Sequence, residues 1–116
     1  MESESTCNVG DFDDYSALYA RLKDAVVRED RAAVVKLMAT PLHVNDVNGK
    51  NPRTFRKPAA LLKAYDEVFT ADVLAAIRRL EPADLFCRDG SVTSGGGMLW
   101  ADYAGGDEPK VSVINR

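Results

Sequence analysis

The spacing of apolar residues changes at Pro82, and this change constrains the fold more than any other feature of the chain. Upstream, Tyr15, Leu18, Tyr19, Leu22, Ala25 and Val26 recur at i, i+3, i+4 and i+7, the pattern of one buried helical face. Asp13 or Asp14 is placed to cap that helix. "REDRAAVVKLMAT" breaks it at Glu29–Asp30 and opens a second short helix carrying Val34, Val35, Leu37 and Met38. Pro41 is expected to end the second helix, because proline cannot continue the hydrogen-bond ladder. Pro58 suits the first position of a third helix, whose stripe is Leu61, Leu62, Tyr65, Val68 and Phe69. Thr70 caps a fourth, with Val73, Leu74, Ile77 and Leu80 repeating until Pro82. One upstream stretch, "PLHVNDV", alternates by twos and reads as a strand with Leu42 and Val44 on one side and His43 and Asn45 on the other. "NGKNPRTFRK" after it reads as a polar turn.

Downstream of Pro82 the period is two. "ADLFCRD" places Leu85 and Cys87 on one face, and "DG" at 89–90 is a hairpin signal. "SVTS", "MLWADY" and "KVSVIN" are the remaining strands. Helices first and strands later predict an α+β fold, with N-terminal helices packed on a curved antiparallel sheet that forms a cone. The 116 residues suffice for one core, so residues 12–116 are expected to form a single domain behind a flexible tail, 1–11.

"SVTSGGGMLWADYAGGD" gathers five of the eight glycines around the only tryptophan. A phosphate loop would need a helix after the glycines and a Gly-Lys-Ser/Thr ending, and neither is present. Glycines at 95–97 are therefore expected to let the sheet bend or bulge, with Trp100 filling the cone.

A formal net charge of −3 argues against broad nucleic-acid binding, which uses a basic stripe. No run of residues is long and apolar enough to span a membrane. Two cysteines, Cys7 and Cys87, do not make a zinc site, and the scattered acids point to no metal and no cofactor. The cysteines either form a disulfide or are a tail thiol and a small core residue. "MESESTCNVG" lacks a leader's basic start and apolar stretch, so the protein is either cytoplasmic or periplasmic or secreted after loss of a leader. Arg53, Arg56 and Lys57 form a basic cluster, with Arg78 and Arg79 in another, read either as solvated faces or as contacts for an acidic partner.

"PLHVN" followed by "RTFRKPAALLKAYDEVFT", then "ADLFCRDGSVTSGGGMLW" and a terminal "KVSVIN", resembles the nuclear-transport-factor-2-like superfamily over residues 12–115. Within it the chain looks like small bacterial members of unassigned role. Tyr65, Asp66, Phe69 and Thr70 match a helix end, and Leu85, Phe86, Gly95, Gly97 and Trp100 match a strand–turn–strand passage. The resemblance implies a bent sheet around three helices, but a fold of this kind hosts isomerases, dehydratases, transport adaptors and binding modules, and does not choose among them.

Enzymes of that superfamily use a carboxylate or histidine base and a tyrosine acid inside the cone, where burial sets the pKa for proton transfer. Candidates here are Asp102, Asp46, Tyr19 and His43. Parity turns His43 away from the core. Asp46 shares the parity of Leu42 and Val44, but also suits a turn at "DVNG". Asp102 alternates with Met98 and Trp100, so it either lies desolvated beside the tryptophan or sits wet at the strand end. If the cone holds a small molecule, its lining is expected to be Tyr15, Tyr19, Tyr65, Phe69, Met98 and Trp100.

With no evident acid–base pair, the sequence favours a non-catalytic binding domain. It would hold a partner protein, as an immunity or inhibitor protein would, or a small apolar ligand in the cone. The alternatives are a small-molecule isomerase or dehydratase, and a domain that pairs as a homodimer through its sheet face.

Overall fold

The computed structural model describes residues 9–46, 52–81, 85–88, 91–93, 98–103 and 108–116, with the backbone alone for 9–12, 86–88 and 91. The first helix, α1, runs Val9–Val27, beginning four residues before Asp13, so Asp13 and Asp14 lie inside the helix and do not cap it. Its stripe is buried as the spacing requires, with Leu18, Leu22 and Val26 each no more than 2% exposed. The chain turns at Glu29, whose φ of 57° is left-handed, and Asp30 then caps α2 (Arg31–Lys36) by accepting from the Ala33 amide at 3.1 Å.

α2 ends at Lys36, well before Pro41, and β1 (Met38–Asn45) takes over at once. The cause lies in the neighbouring strand: the Val111 amide donates to Leu37 O at 3.0 Å, which draws Met38 into the sheet opposite Val111. Pro41 sits within β1, where the register against that neighbour shifts between Met38 and His43 and where the ladder to β2 has not yet begun. A residue without an N–H is tolerated at such an interruption.

β2 (Arg53–Phe55) lies inside the stretch read as a turn; its three residues are too short to show a period. The expected third helix is two pieces, α3 (Pro58–Lys63) and α4 (Tyr65–Val68), separated at Ala64. The break leaves Leu61 in the core and Leu62 42% exposed, so Leu62 is not part of the buried stripe. α5 (Ala71–Arg78) is capped by Thr70, whose hydroxyl accepts from the Val73 amide at 3.3 Å.

The remaining strands are β3 (Phe86–Arg88), β4 (Ser91–Thr93), β5 (Leu99–Asp102) and β6 (Lys110–Asn115). Among the described residues, six strands form one open sheet in the order β2-β1-β6-β5-β4-β3. The sheet is mixed and not wholly antiparallel, because β1 and β6 run parallel while every other neighbouring pair is antiparallel. The whole of β2 to β5 separates these two strands, ample chain for the crossover that parallel pairing needs. The fold is thus α+β, with helices against a mixed sheet. The turns expected at 89–90 and after Tyr103, and the bend or bulge expected at the glycines 95–97, fall outside the described residues, as does the Cys7–Cys87 pairing.

The core lies between helices and sheet. Leu42 and Val44 of β1, Val92 of β4, Leu99 and Ala101 of β5, and Val111 and Ile114 of β6 meet the α1 stripe together with Val73 and Ile77 of α5. Val111 and Ile114 are three apart yet both buried, because the β5–β6 register shifts between Trp100 and Ala101 and leaves Ser112 as the extra residue. No helix among the described residues is long and apolar enough to cross a membrane.

Candidate functional site

The sequence-derived candidates are dispersed. Tyr19 points from α1 into the core, 2% exposed, and its hydroxyl donates to the Val92 carbonyl oxygen at 2.9 Å. Burial, with Tyr15 nearby, pushes its phenol well above the ordinary tyrosine range, so it is a proton holder and not a ready acid. Asp46 accepts from Arg116 Nε at 2.8 Å, and the same guanidinium donates to the Glu67 carbonyl, so this carboxylate ties the end of β1 to the last residue of the chain. His43 is exposed on the far side of the sheet, with its Nδ1 3.3 Å from the Thr54 hydroxyl.

Asp102 shares a face with Trp100, as its spacing requires, but the face is the one turned away from the helices. Leu99 and Ala101 are buried at 1% and 0%, so the tryptophan and the aspartate, both half-buried, occupy the opposite side. Trp100 therefore does not fill a helix-lined cone. The Ser112 hydroxyl lies 3.4 Å from Asp102 Oδ2, a long contact, while Asp102 Oδ1 is buried without a hydrogen-bond partner. Alternation gives two faces and does not say which one the helices cover, so the spacing alone leaves the side of the sheet open.

Of the expected ligand lining, Tyr15, Tyr65 and Phe69 are packed core residues. Tyr15 meets Tyr103 edge-on, with centroids 5.6 Å apart, and Tyr65 stacks on Phe69 at 4.6 Å. Arg31 lies over the Tyr65 ring and donates to Asp66 at 2.8 Å; burial raises the Tyr65 phenol, with the Arg31 charge opposing and the Asp66 charge adding. Met98 is half-buried against the core margin. The basic cluster is partly spent on structure: Arg53 pairs with Glu67 and lies over the Phe55 ring. A carboxylate–tyrosine hydrogen bond does form, from Tyr103 to Asp14 at 2.7 Å, but at the exposed margin of α1.

An open groove of about 420 Å³ runs beside α1. Tyr19, Ala20, Val27, Leu80 and Leu85 give it apolar walls, and Ser16, Lys23, Asp24 and Glu81 stand along it. Tyr19 is the one sequence candidate among these residues. Val27 is 59% exposed, whereas the large apolar residues of the α1 stripe are buried. Lys23 bridges the groove, donating to Leu80 O at 2.7 Å and lying 3.6 Å from the Glu81 carboxylate. The groove residues of α1 recur at helical spacing but mix small, charged and apolar types, so a search for apolar periodicity passes over them. Its other wall, at Leu80 and Leu85, comes from distant sequence.

Comparison of this chain with family models, with curated proteins and with solved structures finds no match.

Proposed function

We propose that this protein is a non-catalytic binding domain of the nuclear-transport-factor-2-like kind, and that it takes a small apolar ligand in the groove beside α1. The observation that carries this reading is the groove itself, whose apolar walls flank an exposed valine and whose volume lies within the range of small-molecule sites. Helices packed on one face of a bulged, open six-stranded sheet support the fold assignment. Asp46 is committed to Arg116 and the Tyr19 hydroxyl to the Val92 carbonyl oxygen in the core, while Asp102 and His43 lie on the opposite sheet face. This favours binding over the isomerase or dehydratase alternative, which needs a base and a tyrosine acid facing one substrate.

Thermal denaturation with 1-hexanol, cyclohexanol and benzyl alcohol tests the reading. A ligand that occupies the groove at ten times its Kd should raise the melting temperature by roughly 6 °C. Ala20 is exposed on α1, so Ala20→Trp should fold normally and fill the groove. The reading requires that this variant lose the ligand-induced rise. Equal rises in both proteins, or none in either, would overturn it.

A further inference from the structure

We propose that the α1 groove accepts one linear alkyl chain of roughly a dozen carbons with an uncharged head, a specificity that rests on the groove being the binding site. The first observation is shape. The groove residues Ser16, Ala20, Lys23 and Val27 follow one another along α1. At 1.5 Å rise per residue they cover roughly 16 Å, so the groove is long. Its volume of about 420 Å³ is drawn out over that length, the shape of one extended chain more than of a compact ring system. A zigzag of C–C single bonds advances about 1.25 Å per carbon, which gives roughly a dozen carbons over the groove.

Charge is the second observation. The groove's ionic groups already answer one another: Lys23 is held by Leu80 O and faces Glu81, and Asp24 accepts from Arg28 Nε at 2.8 Å. No uncompensated charge on these residues recruits an anionic or a cationic head. The charge-balanced groove thus complements a chain whose head is neutral and remains in water. Val27, exposed at one end, is covered only when a chain reaches it.

Calorimetric titration of the full chain with alkyl maltosides, kept below their micelle concentrations, tests this. Affinity should rise roughly three- to fourfold per added methylene from hexyl to decyl and level off near dodecyl. Decanoate and decyltrimethylammonium should bind no more tightly than decyl maltoside. A cyclohexylalkyl maltoside of equal carbon number should bind at least tenfold more weakly, and Ala20→Trp and Val27→Glu should each weaken the linear series. Equal affinity for linear and ring-bearing chains, no dependence on length, or a clear preference for one charged head would overturn the alkyl-chain specificity. If ring-bearing ligands bind and Ala20→Trp abolishes them, only this specificity fails; if Ala20→Trp changes nothing, the groove itself is not the site.

Discussion

The Tyr19 hydroxyl donates to the Val92 carbonyl oxygen across 73 positions of sequence, joining α1 to β4 inside the core. The bond satisfies a phenol that packing has removed from water, and it holds α1 against the sheet beneath the groove. Tyr19→Phe leaves the Val92 carbonyl oxygen without this donor and should cost about 1–2 kcal/mol in urea denaturation, with the slope against urea unchanged.

The same burial makes stability pH-dependent on the alkaline side. Tyr19 and Tyr65 both have phenols raised by the fold, Tyr19 the more strongly. A raised folded-state value contributes stability that is fully present below the unfolded tyrosine value, about 10, and is lost as pH climbs from there toward the folded value. Stability should therefore fall above pH 10, and Tyr19→Phe should flatten that fall. Absorbance titration at 295 nm checks the cause, since one tyrosine should ionise only as the protein unfolds.

Much of the helical part of this fold is legible in the sequence, because buried faces with a 3.6-residue period are long enough to count. The α1 stripe, the Glu29–Asp30 break and the Thr70 cap all follow from residue spacing and capping chemistry. The sheet is less legible. Three-residue β2 has no period to read, Pro41 is accommodated at a register shift, and parallel pairing of β1 with β6 is a long-range choice with no local mark. The face occupied by Trp100 and Asp102 follows from the packing of Leu99 and Ala101 against helices, which alternation alone does not specify. The groove needed both α1 and Leu80–Leu85 in place before it existed.

Glu29 adopts φ 57° at the α1–α2 turn, a conformation that crowds its Cβ. Glycine has no such crowding, and this turn lies beyond the last residue of a helix, where glycine is favoured. Glu29→Gly should raise stability by about 0.5–1 kcal/mol, less the backbone entropy that glycine adds to the unfolded chain. Thermal melts of the two proteins decide it.

Arg116 links β1 and α4 by reaching Asp46 and the Glu67 carbonyl. The Arg116–Asp46 pair is partly shielded, with side chains 17% and 24% exposed, so it is worth more than an open surface pair but is still screened by salt. Asp46→Asn should cost about 1 kcal/mol at low ionic strength, and less in concentrated salt. Melts of both proteins across a salt series measure the difference.

Asp102 Oδ1 is buried without a hydrogen-bond partner, and a buried polar atom left unsatisfied costs stability. Asp102→Asn should leave stability unchanged or raise it by up to about 1 kcal/mol, and should leave binding in the groove untouched because Asp102 lies across the sheet. Chemical denaturation and ligand titration of the variant check the two halves separately.

The central claim is that ligand sits along α1 and not on the Trp100 face of the sheet, and amide chemical-shift mapping with 1-hexanol tests it most directly. The account predicts the largest saturable shifts at Ser16–Val27, Leu80 and Leu85, and their loss in Ala20→Trp. Saturable shifts centred instead on Trp100, Asp102 and Ser112, with residues 16–27 unmoved, would contradict it.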